Sequence, residues 1–250
     1  MIRTAWRLAR RIFRPLRPTL GWLAAGILLG MQFLAVAGLA GDTFLAPRHV
    51  ARLHTVLSAE VSPDGACVAY TLAVPRQPLQ DENGPAWVEL HVVDAQGKSR
   101  PFITGAVNVS GVRWMPDGRS LAFLAKRGSD TVNSLYAIPI DGGEARRVMA
   151  FEADLQAANF SADGRRLALL AAEPLTKEQK DYRDQGFNQE IYEEDWRPVK
   201  VWIAEASGAG KPRMLELPGS ASAVEWCPSG RQLAVVLAPT ALVDDSYMFK

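Results

Sequence analysis

Glu193 and Glu194 are adjacent carboxylates that follow Tyr192 in a charge-dense stretch, LTKEQKDYRDQGFNQEIYEEDWRP, bounded by Pro174 and Pro198. Two carboxylates side by side can accept the donors of one ammonium group and neutralise its charge. The stretch also carries Lys177, Lys180 and Arg183, so the alternative is a solvated acidic face balanced by its own cations. Nucleophilic chemistry has less to draw on. No serine has the flanking glycines of Gly-x-Ser-x-Gly, and Gly97-Lys98-Ser99-Arg100-Pro101 comes nearest. A Ser-His-Asp triad needs a histidine, and the last in the chain, His91, falls in a strand-like run. Cys67 and Cys227 lack Cys-x-x-Cys spacing, and His49, His54 and His91 are the only imidazoles, so neither a metal site nor a cofactor is assigned. Export would permit the two cysteines to pair, but they read as separate buried thiols.

The elements that position these residues announce themselves by repetition. Ser62-Pro63-Asp64-Gly65, Met115-Pro116-Asp117-Gly118, Ser161-Ala162-Asp163-Gly164 and Cys227-Pro228-Ser229-Gly230 are variants of one turn. Their interval of roughly 40 to 50 residues, stretched once, is that of four-stranded propeller blades. Proline presets φ at the second position of a type I turn, Asp bonds locally, and Gly supplies the permissive φ that follows. Val61, Trp114, Phe160 and Trp226 precede the turns, and Val68, Leu121, Leu167 and Leu233 follow them. Next come Ala69, Ala122, Ala168 and Ala234, predicted to face the opposite way and to let a neighbouring blade approach at about 10 Å.

The second half of each blade repeats as Leu90–Asp94, Leu135–Asp141 and Val201–Glu205, after which Gly97, Gly142 with Gly143, and Gly208 turn the chain into a short outer strand. Pro139 is expected on an outer strand, since proline cannot donate to a ladder. The fold class is all-β, an incomplete β-propeller of about three and a half four-stranded blades preceded by one N-terminal transmembrane or signal helix. A β-sandwich with coincidental turns is the alternative.

Composition sets the compartment. The formal net charge is +1, but Arg3, Arg7, Arg10, Arg11, Arg14 and Arg17 all precede the first acidic residue, Asp42. No basic patch interleaved with aromatics follows, which argues against nucleic acid as a partner. Leu20 to Gly41 is uncharged and long enough to cross a bilayer at about 1.5 Å per residue. The arginines before it predict a cytoplasmic N-terminus and an exported body. Ala35-Val36-Ala37 and Gly38-Leu39-Ala40 offer signal-peptidase sites, and an uncleaved membrane anchor is the other outcome. Arg10-Arg11-Ile12-Phe13 resembles a twin-arginine signal, against a plain basic n-region. The organisation is thus a basic region at 1–19, an apolar segment at 20–41, a linker at 42–56, and a partial propeller at 57–250 with an insertion at 174–198.

Together the turns, the leading segment APRHVARLHTVLSAEVSPDG and the insertion ending in IYEEDWRPVKVWI resemble the N-terminal propeller of prolyl oligopeptidase family serine peptidases, in the acylaminoacyl-peptidase and dipeptidyl-peptidase branches. The resemblance implies a propeller that restricts access of peptide substrates to a C-terminal α/β-hydrolase domain carrying a Ser, Asp and His triad. That domain is not in these residues, so this chain alone is expected not to hydrolyse peptides. The run ALVDDSYMFK directly after a strand is expected to mark a truncation. The resemblance also casts Glu193 and Glu194 as the pair that holds a substrate's N-terminal amine in the dipeptidyl branch. Its expected partners are a peptide substrate, the hydrolase domain and, if the segment 20–41 is uncleaved, the membrane. A standalone propeller similar to the envelope protein TolB, binding proteins without catalysis, is the alternative function. The expected location is periplasmic or extracellular, with anchoring in the inner membrane as one form.

Overall fold

The computed structural model describes residues 45–189, 197–242 and 244–245. Its first helix, α1 (Pro47–Val50), is a single turn with proline at its start, and it belongs to a leading unit that ends at Ala51. The apolar segment 20–41 lies outside the described residues. Among those described, no helix is long and apolar enough to cross a membrane.

From Arg52 onward the chain is built of antiparallel sheets in which sequence neighbours pair. The first sheet runs β1 (Thr55–Val61), β2 (Cys67–Val74), β3 (Trp87–Asp94), β4 (Ser99–Ile103). The second runs β5 (Ser110–Trp114), β6 (Ser120–Ala125), β7 (Ser134–Pro139), β8 (Arg146–Met149). The third contains β9 (Leu155–Phe160), β10 (Arg166–Ala172), β11 (Val199–Glu205) and β12 (Arg213–Met214), with α2 (Lys177–Asp184) between its second and third strands. A hairpin of β13 (Ser220–Trp226) and β14 (Leu233–Ala238) forms the fourth. The first strands sit side by side, β1 by β5, β5 by β9 and β9 by β13, which gives the molecule its propeller-like plan.

The four repeated turns close the first hairpin of each sheet in the same way. The N–H of Gly65, Gly118, Gly164 and Gly230 donates to the carbonyl of Ser62, Met115, Ser161 and Cys227, at 2.7–2.9 Å. Each glycine has φ between 63° and 72°, in the left-handed region that a Cβ disfavours. The aspartates do what the turn chemistry requires: Asp64 accepts from the Ala66 N–H, Asp117 from Arg119 and Ser120, and Asp163 from Arg165. In the first and third turns the serine hydroxyl also donates to the aspartate at 2.6 Å.

Alternation along the strands then covers both faces of the middle sheets. Leu121, Phe123 and Ile138 of the second sheet pack on Ala69, Leu90 and Val92 of the first. Its other face, with Ala122, Leu124 and Leu135, meets Leu155, Ala158, Leu167 and Leu169 of the third. Ala168, Leu170 and Val201 of the third then meet Ala221 and Val224 of the fourth. Three separate cores between successive sheets are not the single core of a sandwich. Ala69, Ala122 and Ala168 are essentially inaccessible, as the spacing predicts, whereas Ala234 is exposed. Val56, Leu57 and Val61 of β1 and Val236 of β14 are also exposed.

Two expectations need correcting. Pro139 lies in an interior strand, but at its last residue, beyond Ala137 where pairing with β8 stops, so its missing N–H removes no ladder bond. Cys67 and Cys227 are unpaired, and both are half-exposed because they flank the solvent-facing turns. The Ser229 hydroxyl beside Cys227 holds that thiol below its ordinary range.

The serine–aspartate contact has a pH signature. Donation from the buried Ser161 hydroxyl, followed by the Arg165 N–H, holds the Asp163 carboxyl below the usual carboxylate range. A depressed folded value contributes stability that is present above the unfolded value of about 3.9 and is lost as pH falls through the folded one. Ser161→Ala is expected to raise the Asp163 titration midpoint and to flatten the acid limb of stability between these values, as followed by carboxyl NMR and urea denaturation. An unchanged midpoint would show that the backbone N–H alone sets it.

Candidate functional site

Glu193 and Glu194 lie outside the described residues. The insertion leaves the third sheet after Ala172 and rejoins it at Val199. Thr176 caps α2 by accepting from the Gln179 N–H at 3.2 Å, while the Gln179 side chain accepts from the Thr176 N–H at 3.0 Å, a reciprocal capping box. No residue of α2 is buried. The segment is tied down at its base, where Arg197 donates to the Glu173 carbonyl at 2.6 Å, and at its side, where Lys180 pairs with Glu152 at 3.3 Å. Tyr182 and Phe187 make an exposed edge-to-face pair with ring centres 6.3 Å apart.

The connections between second and third strands, at 75–86, 126–133 and 173–198, all emerge at the same end of their sheets, because every sheet is an antiparallel meander. The opposite end carries only the short repeated turns and the glycine turns at 95–98, 140–145 and 206–212. The insertion therefore belongs to a variable face. His91 stacks on Tyr70 at 5.4 Å and its Nε2 lies 3.0 Å from Glu89, within the first sheet.

Sequence reading did not single out the residues two places before each turn, Glu60, Arg113, Asn159 and Glu225. They are equivalent by register, each opposite one of the repeated alanines. Because the first strands converge, the structure brings them together. Arg113 donates to Glu60 at 2.8 Å and to Glu225 at 3.2 Å, joining the first, second and fourth sheets. Asn159 donates to the Val224 carbonyl. One residue further on, the indole of Trp114 donates to the Glu60 carbonyl at 3.0 Å, and that of Trp226 to the Asn159 carbonyl at 3.1 Å. Phe160, at the corresponding place, has no donor to offer.

Beside this cluster lies a cavity of about 210 Å³ lined by small residues, Gly111, Ala157, Ala158, Ser222 and Ala223, with Arg113, Asn159 and Glu225 at its polar side. A bulge recurs here: Leu57, Gln156 and Ser222, each five residues before its turn, are skipped in the pairing, and the irregularity in β5 contains Gly111 at φ 55°. A bulge bends a strand and re-aims its side chains, which widens the space where the strands meet. Two carboxylates and one guanidinium leave this centre with one net negative charge. It can hold a cationic or polar group; among the described residues, the Ser222 hydroxyl that lines it is not hydrogen-bonded to a base. The equal offsets from the turns were the signal that could have exposed it.

No family profile matches the chain. The uncharacterized peptidase YuxL of Bacillus subtilis strain 168 is 30% identical over 110 residues, covering 44% of this chain and 16% of that protein. An acylaminoacyl peptidase solved with Z-Gly-Gly-Phe-chloromethyl ketone superposes with a TM-score of 0.55 at 16% identity, covering 76% of this chain and 29% of the peptidase. The chain is similar to the propeller region of prolyl oligopeptidase family peptidases. It spans less than a third of either of these proteins. TolB from Acinetobacter baumannii is 19% identical with a TM-score of 0.49, covering 70% of this chain and 36% of TolB.

The Arg113 bridge is a weak tie between sheets, since side-chain exposures of 45%, 33% and 62% for Arg113, Glu60 and Glu225 leave all three solvated. Arg113→Met is expected to lower stability by about 0–1 kcal/mol. The loss should vanish at 1 M salt, where the Debye length is about 3 Å. Urea denaturation at low and high salt checks this, and an equal loss at both would assign Arg113 a packing role.

Proposed function

We propose that this chain is the propeller part of an exported serine peptidase, restricting which peptides reach a hydrolase domain supplied by another part of the same protein. The observation that carries the reading is the 30% identity with a peptidase over 110 residues. The fold supports it in a physical way. Successive sheets with their first strands together act as blades of a propeller, and the exposed apolar residues Val56, Leu57, Val61 and Val236 lie on end faces that further blades would cover in a closed ring. On this reading the three and a half blades are a portion of that ring. The apolar segment 20–41, with arginines before it, directs export as a signal or anchor.

The product of the complete gene is expected to hydrolyse short peptides and to lose that activity on covalent modification of an active-site serine. A complete, folded product without hydrolase activity and without Gly-x-Ser-x-Gly would overturn the reading and leave a binding propeller.

Within this reading, Glu193 and Glu194 hold the free amine of the substrate. In the complete peptidase, Glu193→Ala and Glu194→Ala are each expected to raise KM for free-amine dipeptidyl substrates at least tenfold more than for N-blocked ones. Equal effects on both substrate types would assign the pair to the solvated surface instead.

A further inference from the structure

A second concave surface lies away from the centre, on the outer rim between the first and second sheets. It encloses about 520 Å³ and is floored by Phe102 and Ile103 of β4 and by Tyr136 and Ile138 of β7. Arg127 stands at one end and Glu144 at the other, because the connections that carry them leave opposite ends of β7. Six strand residues at about 3.3 Å each set the length of the groove at roughly 20 Å.

Arg127 is held ready. Its guanidinium lies over the Tyr136 ring at 5.3 Å. The ring is fixed in turn, stacked on Phe123 at 5.8 Å and donating its hydroxyl to Asp130 at 2.5 Å. Asp130 also accepts from Arg147 at 2.9 Å, and from Arg127 it takes the backbone N–H, at 3.5 Å, and not the guanidinium. Among the described residues the guanidinium of Arg127 has no carboxylate partner, and Glu144 has no cationic one. The Arg127 end, with Arg147 and Asp130, has one net positive charge. The floor between the two ends includes β4, an edge strand whose outer side has no neighbour in its sheet.

We propose that this groove binds the C-terminal end of an extended peptide. The guanidinium takes the terminal carboxylate through its paired N–H donors. The apolar floor takes the last side chain, and the free edge of β4, which has no donor at Pro101, offers its C=O groups and the remaining N–H groups to the peptide backbone. Glu144 sets the polarity, since it repels a carboxylate and accepts from N–H groups at the other end. The edge strand and the opposite charge at the far end favour a peptide over an acyl chain, which would use neither. This site is independent of the peptidase reading and would serve a binding propeller equally well.

The test is calorimetric titration of the full chain with the pentapeptide Ala-Gly-Ala-Gly-Leu as the free acid, with its C-terminal amide, and with octanoate. The acid is expected to bind at least tenfold tighter than the amide or octanoate. Arg127→Gln should bring the acid-to-amide ratio close to one while leaving affinity for the amide within twofold. Arg127→Lys should keep part of the ratio, and Phe102→Ala should weaken acid and amide by the same factor. Circular dichroism confirms that each variant is folded. Equal binding of acid and amide by the unaltered chain, no saturable binding at millimolar peptide, an Arg127→Gln variant that keeps the ratio, or tighter binding of octanoate would each overturn the proposal.

Discussion

Packing of one sheet flat against the next is the constraint on which this molecule depends. A four-stranded meander has two faces, and a sheet with one apolar face exposed would be a poor fold on its own. Here each middle sheet is apolar on both faces, and alternation along a single strand serves both neighbours: Leu167 and Leu169 of β10 point to the second sheet, Ala168 and Leu170 to the fourth. The small residue at one position of each second strand sets how closely the first strands can converge. Directional bonds then fix the rotation between sheets, as the indoles of Trp114 and Trp226 donate to carbonyls of the preceding sheet. Those two bonds are equivalent across a sheet left without one at Phe160, so apolar packing carries the arrangement and the indole bonds refine it.

Convergence of the first strands has a chemical consequence. Any residue type placed two positions before a turn is carried to the centre, whatever its distance in sequence. Arg113 is thereby brought between Glu60 and Glu225, residues more than one blade apart in the chain. The recurring bulge works in the same place. It inserts an extra residue into the inner strand of each hairpin, bends it, and leaves room lined by glycine, alanine and serine, so the centre remains open while the cores on either side stay dense.

Much of this was legible in the residues themselves. The turn motif has local chemistry that no neighbour is needed to complete, and the flanking hydrophobic and alanine positions register directly as strand partners, Val61 with Val68 and Trp226 with Leu233. Pro139 misled because a proline's effect depends on whether a partner strand reaches it, and β8 stops two residues short. The cysteines misled because their neighbours are strand-like while they themselves border a turn. The central charges were hidden for a different reason. Glu60, Arg113, Asn159 and Glu225 are of three different types, so similarity could not align all four, and only the shared offset from the turn does. The Arg127 groove was hidden further still, since its floor comes from one strand in each of two sheets and its two charges leave opposite ends of β7.

The two ends of the sheets are under different physical pressures. At one end the repeated turns must keep a glycine at positive φ and an aspartate in reach of backbone N–H groups, and each turn packs near the next: a Cβ on Gly164 would lie 3.8 Å from Pro116, and one on Gly118 would lie 4.0 Å from Pro63. Insertion there would separate the turns and, with them, the sheets. At the other end the connections at 75–86, 126–133 and 173–198 differ in length and in sequence, because the ladder is already complete below them. Loop closure grows costlier only slowly with length. An insertion as long as 174–198 can therefore be carried without disturbing the cores, and it is at this end that the chain places its densest run of charge.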